Sequence, residues 1–180
     1  KDGSYVSWIL SNKYNLRVLN VTINPPLRSS IGHKNLENFK KGGLPLIEVN
    51  VPYEVSRKLN KTGFVEQGRP LYGWTASIFT SVIRIAKEFG VNLIMYGEDG
   101  EIEYGGSTES KNKASFSAEF IKRVYLEGQL DEAFTGLQDH EKYWWNFEFG
   151  DISNKYNSNQ LWDDHTISSR IMSFICFHEF

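Results

Sequence analysis

Apolar residues recur along this chain with two periods that alternate. Tyr5, Val6, Trp8, Ile9 and Leu10 place apolar groups on one face of a helix that ends near residues 12–15. The β-branched run 16–23, with Val18, Val21, Thr22 and Ile23, reads as a strand, and Asn24-Pro25-Pro26 stops it because prolines remove ladder donors. Residues 31–41 then predict a helix with Ile31, Leu36 and Phe39 inward and Gly42-Gly43 as its stop. Residues 44–51 predict a strand with Ile47 and Val49 on one face, and 53–60 a further helical segment. The polar, glycine-bearing stretch 62–69 reads as a loop that could cover a site.

The longest helical signal runs over 70–89. Pro70 sits where a first-turn proline belongs, Ile78, Val82, Ile85 and Phe89 keep a 3–4 spacing, and Gly90 terminates the pattern. Leu93, Ile94, Met95 and Tyr96 form a short unbroken apolar run between Gly90 and Gly97, which predicts a strand over 91–96 buried on both faces of a parallel sheet. Strands alternating with helices in this order argue an α/β chain whose parallel strands are joined by right-handed crossovers. Beyond Gly106 the signal weakens. Residues 107–114 read as a polar linker, and 115–126 as an amphipathic helix through Phe116, Phe120, Ile121, Val124 and Tyr125. From Asp131 the chain is aromatic-rich without clear period, as in Tyr143-Trp144-Trp145-Asn146-Phe147, a composition that suits a small helical appendage, a partner interface or a lid. There is no internal repeat and no low-complexity tract.

Composition narrows the picture. A chain of 180 residues is long enough for one domain with a substantial core, alone or with an appendage. A net charge of −2, with no Lys/Arg run longer than Lys40-Lys41, gives no electrostatic footprint for nucleic acid. One cysteine, Cys176, excludes an internal disulfide framework and a cysteine-based zinc site within this sequence, and fits a reducing compartment. No apolar run approaches the roughly 20 residues needed to cross a bilayer, and no signal-peptide pattern opens the sequence. The expectation is a soluble, cytoplasmic protein, in which the sequons at Asn20 and Asn60 are chance matches.

The chemistry concentrates where the strand 91–96 ends. Glu98, Asp99, Glu101 and Glu103 fall between Gly97 and Gly105-Gly106, on a turn at the carboxyl end of a strand, where open α/β sheets bind ligands. Carboxylates so close repel one another unless solvent, a cation or a basic partner offsets them. One reading is a divalent cation holding phosphates; the other is a solvated acidic hairpin. Lys1-Asp2-Gly3-Ser4 also stands before a helix, where backbone N–H groups can hold an anion, or where Asp2 or Ser4 simply caps.

These segments resemble a family. Lys1-Asp2-Gly3-Ser4 is similar to the tail of the phosphate loop Ser-Gly-Gly-Lys-Asp-Ser of the N-type ATP pyrophosphatases, whose first residues and preceding strand would lie upstream of Lys1. Within that PP-loop superfamily, Asn24-Pro25-Pro26-Leu27-Arg28, the stretch Ile31-Gly32-His33-Lys34-Asn35-Leu36-Glu37-Asn38-Phe39 and the stretch Tyr96 to Gly106 look like the N-acetyl sugar amidotransferases of lipopolysaccharide O-antigen biosynthesis. The likeness covers about residues 1–125 in three separated segments that agree in order. The acidic loop is also similar to the Gly-Glu-Gly-Ser-Asp-Glu loop of asparagine synthetases.

The resemblance implies a parallel-sheet, three-layer, Rossmann-like adenine nucleotide alpha hydrolase fold over residues 1–126, with a small helical, aromatic-rich C-terminal region over 127–180. It implies that ATP and magnesium are used to adenylate the N-acetyl carbonyl oxygen of a nucleotide-linked sugar, after which ammonia displaces AMP to leave an acetamidine. Ammonia would come from a separate glutaminase, a class I glutamine amidotransferase subunit, because nothing in this chain supplies one; a lone late cysteine such as Cys176 is more often a small buried hydrophobe. ATP would be bound by Lys1, Asp2, Gly3, Ser4, by backbone groups near Val21 and Thr22, and beside Asn24. Glu101 with Asp2 would hold the metal, Glu98 or Asp99 would accept a proton from the attacking nitrogen, and Arg28 would contact substrate or phosphate, or else form a surface ion pair.

The sequence also departs from the family. Gly3 stands where the loop has its second serine, with Ser4 one place later, and the Ser-Gly-Gly and N-terminal cysteine cluster of family members are not in this sequence, which leads one to expect a piece of a longer chain. Two other classes stay open: an ATP-binding module of universal-stress type without chemistry, and a scaffold subunit of a sugar-modifying complex that uses the aromatic tail.

Overall fold

In the computed structural model, residues 2–91, 93–97, 134–145 and 174–177 are described. In chain order these residues form α1 (Asp2–Asn12), β1 (Val18–Ile23), α2 (Ser30–Lys41), β2 (Leu46–Val49), α3 (Tyr53–Gln67), α4 (Tyr72–Glu88), β3 (Leu93–Met95), a short α5 (Asp139–Lys142) and β4 (Phe174–Phe177). The chain is α/β, and β1 and β2 are a parallel pair, registered from Asn20 opposite Leu46 to Ile23 opposite Val49.

The sheet order is β2-β1-β4-β3, and β4 runs antiparallel to both its neighbours. This corrects two expectations. The run at 91–96 was expected among parallel neighbours, yet β3 spans only Leu93–Met95 and its neighbour among the described residues is the antiparallel β4. An unbroken apolar run reports burial on both sides, not the direction of the strand alongside. The second correction concerns 127–180, read as helical, in which residues 174–177 form a strand inside the sheet, with Cys176 registered between Leu19 and Ile94.

Side chains of β1 alternate faces, as the pleat requires. Leu19, Val21 and Ile23 join Ile47 and Val49 of β2 and Ile94 of β3 in a core built on Ile78, Val82 and Ile85 of α4. Val18, by contrast, packs with Val6 and Leu10 of α1, and with Leu93 and Met95. The inward face of α1 is therefore carried by Val6 and Leu10. Tyr5 and Trp8, expected inward, are 61% and 56% exposed, because residues one and two places away from Val6 point elsewhere around a helix with 3.6 residues per turn. On α2, Leu36 and Phe39 are half-buried as expected but Ile31 is 70% exposed.

α4 behaves as its spacing predicts up to its last turn, where Phe89 lies outside the helix and is exposed. Its end is closed by Gly90 at φ 64, with Gly90 N–H donating to Lys87 O and Val91 N–H to Ala86 O at 2.8 Å, a cap that needs the left-handed conformation. At its start the proline expectation fails. Pro70 lies in a turn, Leu71 takes a left-handed φ of 63, and α4 begins only at Tyr72. The loop expected over 62–69 fails similarly: α3 continues to Gln67, so only residues 68–71 connect two long helices. Gly63, taken as a loop signal, is instead the packing surface of that hairpin.

A methyl group on Gly63 would lie 2.6 Å from Tyr72 Cβ, and one on Gly73 would lie 2.5 Å from Leu59 Cβ. Each helix thus offers a bare backbone where the other brings a side chain. Asn60 adds a polar link, its Oδ1 accepting from Trp74 N–H at 3.1 Å. Onto the same hairpin docks the segment 134–145: Trp145 is 3% exposed and donates through Nε1 to Gly73 O at 2.6 Å, Lys58 donates to Thr135 O at 2.9 Å, and Thr80 Oγ1 bonds Trp144 O. Arg84 caps the edge, its guanidinium 3.9 Å from the centroid of the Tyr143 ring. Trp144 and Trp145 are therefore packing residues. The helix expected over 115–126 lies outside the described residues.

Gly73→Ala should cost about 1–3 kcal/mol, because its new methyl meets Leu59 Cβ together with the backbone nitrogen and side-chain oxygen of Asn60 on α3; urea unfolding with an unchanged midpoint would refute the close approach. Tyr72 gives a second expectation. Burial pushes its phenol from 10.0 up to about 12, against the opposing pull of Arg69. A phenol harder to ionise folded than unfolded contributes stability that is complete below pH 10 and is lost as pH rises from 10 towards 12. The loss is on the order of 2 kcal/mol, and Tyr72→Phe should flatten the alkaline limb of stability against pH.

Candidate functional site

Where β1 ends, three pieces of chain part and leave a cleft of about 340 Å³. Its floor is Asn20 and Thr22 of β1, on the face opposite the α4 core, with Leu46 of β2 beside them. The start of α1 contributes Ser4, and the start of α2 contributes Ser29 and Gly32. Asn35, Leu36 and Phe39 form the α2 wall, and Pro25, Leu27 and Arg28 the loop between β1 and α2. Two helix N-termini and the carboxyl end of a strand thus meet at one opening.

Local sequence accounts for this arrangement. Asn24 N–H continues the ladder to Val49 O at 2.9 Å, after which Pro25 and Pro26 turn the chain out of the sheet. Ser29 then caps α2, its Oγ accepting from Gly32 N–H at 3.0 Å. Asn20 fixes α1 from beneath. Its side chain is 2% exposed; Nδ2 donates to Pro45 O at 2.9 Å, and Oδ1 lies 2.5 Å from Ser7 Oγ. Ser7, fully buried, lies also 2.6 Å from Gly3 O, so its single hydroxyl proton is shared between acceptors on α1 and β1.

The residues expected from sequence fall into four groups. Ser4, Val21, Thr22 and Arg28 line the cleft together. Gly3 is buried in the first turn of α1, not in a loop before it, since α1 already begins at Asp2; its carbonyl is the Ser7 acceptor. Asn24 is turned to the rim, where Oδ1 accepts from Arg28 and Nδ2 donates to Asn50 Oδ1 at 2.5 Å. The side chain of Asp2, and Lys1, Glu98, Asp99, Glu101 and Glu103 altogether, lie outside the described residues.

Val21 is less available than expected. Its side chain is in the core, and it is registered against Ile47 on one side and Phe174 on the other, so its backbone groups point into ladders. Thr22 has a registered partner in β2 alone among the described residues, which makes it the better backbone contact. Arg28 is partly engaged: besides Asn24, its Nη1 stands 4.0 Å from Glu48 Oε2. Lys40 holds the other Glu48 oxygen at 2.7 Å and Glu37 at 2.8 Å. The bond from Lys40 lowers the Glu37 carboxyl below its ordinary value, and Glu37 and Glu48 raise the Lys40 ammonium.

Sequence reasoning missed Asn20, Ser7, Asn35 and Glu48. Asn20 carried a signal: a lone amide inside a β-branched run can be buried only if it is fully hydrogen-bonded. Among the described residues no group of three or more His, Cys, Asp or Glu converges, and no helix is long and apolar enough to cross a membrane. Set against known proteins, the chain matches no family model, no curated protein and no solved structure.

Asn20→Ala removes the contact of Ser7 with β1 and the donor to Pro45 O at once, leaving Ser7 only Gly3 O, and should cost about 1–3 kcal/mol in urea unfolding. Ser7→Ala should cost less, because Asn20 keeps its bond to Pro45 O. A ranking in the opposite order would show that Asn20 does not anchor the cleft.

Proposed function

We propose that this chain is the synthetase part of an ATP-dependent amidotransferase acting on an N-acetyl sugar linked to a nucleotide, in surface polysaccharide (lipopolysaccharide) biosynthesis. The observation that carries the reading is the cleft at the carboxyl end of β1, where Ser4, Thr22 and Arg28, assigned to ATP and substrate through the family resemblance, meet in one opening. Two helix starts there bring backbone N–H groups and partial positive charge, suited to phosphates. Leu36, Phe39 and Leu46 offer an apolar wall for a base. Helices packed through Val6 and Leu10 on one sheet face and through α4 on the other support the three-layer, Rossmann-like adenine nucleotide alpha hydrolase fold that the family implies.

In this proposal the backbone of α1's first turn and Lys1 hold the phosphates, and Thr22 offers its backbone to the adenine. Arg28 orients the sugar or its phosphates. Asp2 with Glu101 would hold magnesium through hard oxygen ligands, offsetting charge that grows on the pyrophosphate oxygens as the α–β bond breaks. The acetyl carbonyl oxygen attacks the α-phosphorus; pyrophosphate leaves, and the carbon becomes electrophilic. Ammonia from a class I glutamine amidotransferase partner adds to that carbon, Glu98 or Asp99 accepts a proton, and AMP departs from the acetamidine. The alternative, a non-catalytic ATP-binding module or scaffold subunit, predicts nucleotide binding or protein association without turnover.

Calorimetry of the intact protein should show binding of ATP with magnesium, and ammonia-fed assays should show sugar-dependent pyrophosphate release. Glu101→Gln should abolish that release, whereas Glu98→Gln or Asp99→Asn should slow amidine formation more than adenylation. Arg28→Ala should raise the Michaelis constant for sugar or ATP by about tenfold, the scale of one lost charge-assisted contact. Full pyrophosphate release by Glu101→Gln would overturn the metal assignment, and binding without any turnover would favour the non-catalytic module.

A further inference from the structure

Arg28, which lines the cleft, begins a row of four side chains of alternating charge that continues behind it through Glu48, Lys40 and Glu37. The two cations are not equally bound to Glu48. Lys40 Nζ is 2.7 Å from Oε1, a charge-assisted hydrogen bond, while Arg28 Nη1 is 4.0 Å from Oε2, the outer limit of an ion pair. Arg28 is tethered more closely by a neutral group, the Asn24 amide, which is itself fixed through Asn50. A guanidinium has five N–H donors in a planar fork, so donation to Asn24 leaves it able to grip an anion. Both side chains are largely shielded, Arg28 at 22% and Glu48 at 27% exposure, so their interaction is less screened than at an open surface.

A phosphate entering the cleft beside Arg28 meets the negative charge of Glu48 and competes with it for the same guanidinium. If Arg28 were the sole counter-ion of Glu48, its transfer to the ligand would strand a partly buried carboxylate. Lys40 removes that obstacle, because Glu48 keeps its shorter bond when Arg28 leaves.

We propose that Glu48 is the resting partner of Arg28 and that Lys40 is a positioning residue which holds Glu48, so that Arg28 can pass to a phosphate-bearing ligand in the cleft. The proposal rests on the cleft being the nucleotide site. It assigns Lys40 and Glu48 a part in ligand affinity although neither touches the ligand.

The test titrates magnesium–ATP and, separately, inorganic pyrophosphate into the wild type and a set of variants. Arg28→Ala should weaken binding about tenfold. Lys40→Gln should weaken it severalfold, because Glu48 then holds Arg28 undivided, and Lys40→Arg should restore it. Glu48→Gln should tighten binding, and in that background Lys40→Gln should add less than about twofold. A structural role for Lys40 would give the same loss in every background. The Lys40→Gln effect should also vanish in Arg28→Ala; persistence there means that Lys40 acts without Arg28, structurally or by direct contact with ligand, and overturns the relay, as does weaker binding by Glu48→Gln. ATP binding without this coupling refutes the relay and leaves the proposed function standing. The coupling seen with pyrophosphate but no binding of ATP does the reverse, and a wild type that binds neither probe overturns both.

Discussion

One buried amide holds the cleft in place. Asn20 sits in the middle of β1 on the face away from the α4 core, and a buried amide there needs partners for both its nitrogen and its oxygen. Pro45 O, just ahead of β2, and Ser7, one turn into α1, are those partners. Three stretches distant in sequence are thereby tied to one point. Because Ser7 also reaches Gly3 O, the tie extends to the first turn of α1 and sets where Ser4 faces the opening.

The opposite face of the sheet works by dispersion and burial. Val21, Ile23 and Val49 meet Ile78, Val82 and Ile85 with almost no exposed surface, and each fully buried aliphatic side chain contributes about 1.5–3 kcal/mol. α4 is braced in turn by α3, at a separation that Gly63 and Gly73 make possible, and by Trp145. The rigid side of the protein is thus behind β1. The polar cleft in front of it can hold hydrogen-bonding groups because the strand beneath them does not depend on them for its burial.

The rim is arranged by charge. Asn24, fixed as the last ladder donor of β1, tethers Arg28, and Glu48, pointing from β2 to the same face as Leu46, gathers Arg28 and Lys40. Besides the Lys40–Glu37 pair on α2 and the Asn24–Arg28 bond, four residues apart, these contacts join groups distant in sequence. Their pattern follows from the parallel register of β1 with β2, which sets Thr22 opposite Glu48.

The amino-acid sequence by itself determined the elements whose signal is a sustained period or a hard stop. The β-branched run closed by two prolines is β1, the 3–4 spacing from Ile78 to Ile85 is α4, and Gly42-Gly43 and Gly90 end their helices, because these rest on backbone chemistry within a few residues. It also placed Ser4, Thr22 and Arg28 on segments that do meet. What it could not determine was anything decided by a distant neighbour. Gly63 read as a loop because its lack of a side chain costs a helix locally, and only contact with Tyr72 of α4 repays it. Tyr5 and Ile31 read as inward because hydrophobicity does not reveal which side of a helix meets the sheet. The direction of the strand beside β3, the burial of Trp145 and the shared hold of Arg28 and Lys40 on Glu48 were settled only when the chain folded, since each joins groups that lie far apart along it.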